Sequence, residues 1–178
     1  MHPHLVEVFE RLDRTRAALC AAVDAVPASA RNVRPAPERW SAAEVVEHLS
    51  ITERLFGDRI AKAIETRAGG LNRESADRAP LPQPIETRMA DRVNRRQAPD
   101  VALPKGELPC DAGLTLVEHG HARLRSLVSA TDGLALSEVT SDHPFFGTLT
   151  VYQWIELIAA HEARHTEQIR EIASAFAT

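Results

Sequence analysis

The residues from 151 to 176 constrain this chain most. They carry no proline or glycine, and Trp154, Ile158, His165, Ile169, Ile172 and Phe176 recur at helical spacing. That period predicts a long amphipathic helix with one face turned to a core. Its start is marked by Thr150-Val151-Tyr152-Gln153, a capping box, with Leu149 and Trp154 as a staple pair. Within it lies His161-Glu162-Ala163-Arg164-His165. Two histidines four residues apart stand one turn apart, so both imidazoles can aim at one point. His165 lies on the apolar stripe and His161 at its edge. A buried ring nitrogen needs a partner, and a divalent metal supplies one to both rings.

Three further segments have the same period. A first helix is predicted from about Pro3 to Val26, with Leu5, Val8, Leu12, Leu19, Ala22 and Val23 on one stripe and Pro27 as its stop. A second starts at the capping box Ser41-Ala42-Ala43-Glu44, with Trp40 and Val45 as staple, and ends at Gly69-Gly70. Its inward stripe runs Val45, His48, Leu49, Thr52, Phe56, Ile60, Ala63 and Ile64. A third is predicted from about Asp111 to Ala130, on Leu114, Val117, His121, Leu124, Leu127 and Val128. Residues 70 to 110 hold six prolines and break any long element; a short helix is expected from about Ile85 to Arg96, with Met89 and Val93 on one side. The rest of that stretch reads as ordered loop over the helices or as a mobile flap. Residues 142 to 147 read as a loop. The chain is therefore expected to be all-α, one domain over residues 1–178: a four-helix bundle with a long crossover between the second and third long helices.

Composition excludes some functions. The chain has 178 residues, 44% apolar, with 21 basic against 25 acidic and a net charge of −4. No basic face for nucleic acid is expected. No apolar run reaches a membrane span, and the N-terminus shows no signal pattern. Cys20 and Cys110 have neither metal nor redox spacing and no cationic neighbour in sequence, which points to a reduced, cytoplasmic setting without an activated thiolate. There is no glycine-rich phosphate loop.

His48, His161 and His165 are the candidate metal ligands: three neutral nitrogens from two helices, with positions left for water or substrate. Zn²⁺ or Ni²⁺, ahead of Fe²⁺, suits such a set. Glu162 is the candidate catalytic group, orienting a ligand or handling a water proton; a carboxylate at the surface or behind the ligands is the alternative. The five letters from His161 to His165 also match the zinc-peptidase helix, but only 13 residues follow His165 and no downstream ligand is present. His121 faces inward as a core or rim residue or a fourth ligand. His143, before Pro144, is expected to set turn structure.

Trp40-Ser41-Ala42-Ala43-Glu44 leading to His48, then His143-Pro144 and Gly147-Thr148-Leu149-Thr150, then His161 to His165 with Gln168-Ile169, give the chain a pattern that resembles the DinB family. The resemblance spans nearly the whole length and rests on the combination and order of these pieces. It implies a four-helix bundle, often a homodimer, with a divalent metal on three histidines at the positions of His48, His161 and His165. Some relatives are thiol-dependent, transferring or isomerising with low-molecular-weight thiols such as bacillithiol or mycothiol, and a related domain occurs in ergothioneine synthesis. The expectation is a metal-dependent enzyme on a small-molecule substrate, an S-transferase ahead of a hydrolase. The alternative is a non-catalytic dimeric bundle.

Overall fold

Both capping boxes form. In the computed structural model, which describes residues 1–67, 70–75, 78–93 and 97–177, Glu44 N donates to Ser41 Oγ (3.1 Å) and Ser41 N to Glu44 Oε2 (2.8 Å). Gln153 N donates to Thr150 Oγ1 and Thr150 N to Gln153 Oε1, at 3.2 and 3.0 Å. Each pair meets two backbone donors that a helix start leaves open. The long helices are α1 (Pro3–Asp24), α2 (Ala42–Arg67), α4 (Cys110–Ser129) and α5 (Val151–Phe176), with a short α3 (Gln83–Ala90) in the crossover.

The core fixes how these helices run. One apolar cluster joins Leu5 to Leu12 of α1, Ile60 and Ile64 of α2, Leu124 and Val128 of α4, and Tyr152 to Ala159 of α5. The other joins Leu19 to Val26, Ala42 to Leu49, Val117, and Ile169 with Ile172. The N-terminal halves of α1 and α5 thus share an end with the C-terminal halves of α2 and α4. Helices α1 and α5 run parallel and pack on each other; α2 and α4 run the opposite way and do the same. Two parallel neighbours need a connection as long as the bundle, and residues 70 to 109 supply it. Carboxylates pin that connection. Glu74 accepts from Ser137 N, Ser137 Oγ and Tyr152 Oη; Glu156 from Arg78 and Leu81 N; Glu47 from Lys105 N and Gly106 N. Outside α3 and a 3₁₀ turn at Asp100–Ala102, the described part of the crossover is loop.

Two sequence expectations are corrected. The short helix spans Gln83–Ala90, not 85 to 96: Pro84 sits in its first turn, and Asp91 turns to extended backbone (ψ 107°). Residues 94–96 of that expectation, like Gly69 of the predicted α2 stop, lie outside the described residues. Val93 is 90% exposed and shares no packing side with Met89. Residues 142 to 147 form no plain loop but the tip of a hairpin, β1 (Thr140–His143) with β2 (Gly147–Thr150). A positive φ at Gly147 (75°) closes it, and His143 Nδ1 accepts from Phe145 N (3.1 Å), the turn-setting role expected of that histidine. Strands this short give almost no periodic signal.

Candidate metal centre and cavity

Midway along the bundle the two apolar clusters are separated by polar residues, and here the histidines meet. His48 of α2 and His165 of α5 are buried, and His161 is half-buried. Their Nε2 atoms converge: His161 lies 3.3 Å from His48 and 3.1 Å from His165. The opposite nitrogens fix the tautomers. His48 Nδ1 donates to the Ala102 carbonyl (2.7 Å), which a 3₁₀ turn of the crossover brings down, and His165 Nδ1 donates to Gln168 Oε1 (2.9 Å). With their protons on Nδ1, both rings present lone pairs at Nε2.

Burial drives all three rings toward the neutral form. It lowers His48 against the opposing pull of the Ala102 carbonyl, and it lowers His161 and His165 further, helped by the other histidines of the cluster and Arg164. Neutral rings are what a metal binds. Lone pairs 3.1 and 3.3 Å apart repel unless something positive stands between them. His161 can offer one proton at most, whereas one divalent cation meets all three. The spacing fits: metal–nitrogen distances of about 2.0–2.1 Å separate two ligands by about 2.9 Å at a right angle and about 3.3 Å at the tetrahedral angle. His161 Nδ1 is buried without a hydrogen-bond partner among the described residues. These three histidines form one of two groups among the described residues with the composition and spacing to hold a metal ion.

The second group, Glu53, His121 and Glu162, contains two residues read from sequence as site candidates. Glu162 follows His161 by about 100° around the helix, which turns it from the histidine point toward α1. There it is fully buried, accepts from Thr15 Oγ1 (2.8 Å) and pairs with the Arg16 guanidinium, which also reaches Glu53 (3.1 Å). His121 Nε2 stands 3.5 Å from Glu162 Oε1. Arg16 already supplies this cluster with a cation. Burial raises both carboxyls, Glu53 well above its ordinary range with the Glu162 charge adding to it, while Arg16 opposes the rise. Burial, then Arg16 and Arg125, push His121 down to about 3. Glu162 is therefore turned away from the three Nε2 atoms and engaged by Thr15 and Arg16, a position that does not suit the base of a zinc peptidase.

The histidines open on a cavity of about 760 Å³. Its walls come from α2, α3, α5, the crossover and the hairpin, and include Trp40, Phe56, Met89, Phe146 and Leu157. His143 is part of this wall as well as of its turn, 4.6 Å from the Phe146 ring and 5.2 Å from that of Trp154. Cys20 and Cys110 do not line it; burial raises both thiols, Cys110 to about 11. The sequence reading missed Ala102, whose contribution is a backbone carbonyl with no residue-type signal. Gln168, three residues beyond His165, had the spacing to be found.

A helical bundle in which two helices aim three histidines into a cavity, two of them with the tautomer fixed at Nδ1, defines a class of protein. The chain belongs to the DinB superfamily, which it matches over residues 11–169. It is 31% identical over 147 residues to the uncharacterized protein YuaE of Bacillus subtilis (strain 168), covering 79% of this chain and 82% of that one. The crystal structure of TT2238, a four-helix bundle protein, superposes with a TM-score of 0.56 at 18% identity, over 94% of this chain and 98% of its own. That likeness shows the bundle fold. Among the described residues no helix is long and apolar enough to cross a membrane.

Proposed function

We propose that this protein is a metal-dependent enzyme that transfers a small thiol to an electrophile, with His48, His161 and His165 as the ligands. The observation that carries the reading is the convergence of three Nε2 atoms on one point of a cavity wall, with Nδ1 held by an oxygen acceptor on two of the rings. A Zn²⁺ or Ni²⁺ ion held there supplies a lowered pKa to a thiol or water beside it. The chain does the rest. Ala102 and Gln168 keep two ligands in the right tautomer. Trp40, Phe56 and Leu157 line the approach with apolar surface. In the transfer the thiol gives its proton to solvent, its sulfur bonds the electrophilic carbon, and the leaving group departs with the bonding pair. The sulfur comes from a small molecule in this reading, because both cysteines lie off the cavity with raised pKa values.

The test is conjugation of dithiothreitol or cysteine with a chromogenic aryl halide by metal-loaded protein, beside the same protein stripped by chelator and the His48→Ala variant. Metal-dependent conjugation that both controls lose supports the transferase. Turnover of ester or amide probes in place of conjugation makes it a hydrolase, and turnover of neither leaves a non-catalytic bundle.

A further inference from the structure

The cavity has a charge that the chain as a whole does not. Among the described residues, five arginines line it, Arg39, Arg59, Arg88, Arg92 and Arg164, against Glu38 as the acidic residue, although the net charge of the chain is −4. Two of the five share one carboxylate: Arg39 and Arg92 both end on Glu171, at 2.7 and 2.8 Å. Arg59 donates to the Asp142 carbonyl (2.9 Å), which carries no charge. Arg88 lies over the Phe146 ring, 5.0 Å from its centre, and its buried Nε has no hydrogen-bond partner among the described residues. Of the acids near them in sequence, Asp58 pairs with Arg54 and Arg123, Glu86 with Arg11, and Asp91 accepts from Val93 N (2.9 Å). A guanidinium held over an aromatic face can still offer two parallel hydrogen bonds from its edge, the geometry that a carboxylate meets.

Away from the arginines and the histidines most of the wall is apolar, and so is its mouth. Val101 is 73% exposed and Phe145 58%, and both line the cavity. Large side chains left in water at the edge of a cavity mark where an apolar ligand continues outward.

We propose that the ligand of this cavity is an organic anion: an apolar body against Phe56, Phe146 and the mouth, and a carboxylate or like group paired with Arg88, with Arg59 adding to the field. This names a substrate class for the site read above as an enzyme's, and rests on that reading only for the claim that the ligand is a substrate.

Octanoate and its neutral isostere octanamide serve as probes, titrated calorimetrically into wild type, Arg88→Met, which keeps the packing on Phe146, and Arg88→Lys, which keeps the charge. Each protein is measured metal-free and metal-loaded, with metal content and thermal unfolding followed in the same samples. Octanoate is expected to bind wild type at least tenfold more tightly than octanamide in both metal states. Arg88→Met should abolish that preference and Arg88→Lys should keep part of it. Equal binding of the two probes, a preference that survives Arg88→Met, a preference confined to the metal-loaded protein, or no binding of either overturns the inference. Stoichiometric metal without an anion preference sinks this inference alone. An anion preference in a protein that takes up no metal sinks the enzyme reading alone.

Discussion

Replacing Arg16 by Met should cost more stability than any surface change in this protein. Arg16 is 9% exposed and bridges Glu53 (6% exposed) to Glu162 (0%), two carboxyls on different helices. Met keeps most of the side-chain volume, so the loss is electrostatic and not a cavity. Removing one partner of a buried ion pair costs about 3–5 kcal/mol, because the other charge stays buried without compensation. For a chain of this size that corresponds to roughly 6–20 °C in Tm. The loss should depend on pH, with a sign that Glu53 sets. Burial first, then the Glu162 charge, raise its carboxyl in the folded state, and Arg16 opposes them. A carboxyl with a raised folded pKa contributes stability that is whole below its unfolded pKa of about 4.3 and is lost as pH climbs through the folded value. Without Arg16 the rise is larger. Urea unfolding of metal-free protein, followed by the fluorescence of Trp40 and Trp154, should show a greater deficit at pH 8 than at pH 5. Replacing Glu53 and Glu162 by Met as well should recover most of it, since an apolar set of similar volume is often no less stable than the buried ions. A loss below about 1 kcal/mol, or an equal loss when both glutamates are already Met, would refute the description of this cluster.

Two other predictions concern the site's support and the crossover. Gln168→Ala removes the acceptor of His165 Nδ1, 2.9 Å away, and should weaken Zn²⁺ binding about 10–100-fold in competition with a chromophoric chelator while leaving one ion bound at saturation; unchanged affinity would mean that Gln168 has no part in the site. Burial pushes the Glu74 carboxyl up, but hydrogen bonds from Ser137, Tyr152 and Ser75 outweigh it and hold the folded pKa below the ordinary value. Its stability contribution is therefore present above the unfolded pKa and lost as pH falls through the folded one, so Glu74→Gln should destabilise by about 1–3 kcal/mol at pH 7, with the gap to wild type closing toward pH 3; a gap of the same size at both pH values would speak against the carboxylate.

The bundle was legible because each long helix declares itself by period and two declare their first residue by a capping box. The histidine set was legible for the same reason: a ring on an apolar stripe stands out as needing a partner. The Arg16 cluster was not seen, yet the stripes hint at it. The α1 stripe passes from Leu12 to Leu19, where a core face needs a residue at 15 or 16, and Thr15 and Arg16 stand in that gap. Glu53, His121 and Glu162 occupy the corresponding turns of the other three helices, so a polar layer crosses the bundle where all four stripes break. What lies beyond sequence is pairing at a distance. Nothing local tells that Arg16 meets residue 162, that the carbonyl of Ala102 reaches His48, or that strands of four residues close a hairpin. The match of His161 to His165 with a peptidase helix says nothing of where Glu162 points, since the same letters place it on whichever flank the neighbouring helices dictate.

The claim on which the account turns is that the three histidines hold one divalent ion. Elemental analysis of protein purified without a metal-affinity column, beside the His48→Ala/His161→Ala/His165→Ala variant and after exposure of both to Zn²⁺ or Ni²⁺, tests it most directly. The account predicts about one ion per chain in the parent and none in the variant, with both folded, because a core of this size does not need the metal. No ion in the parent after loading, or an equal ion content in a folded variant, would contradict it.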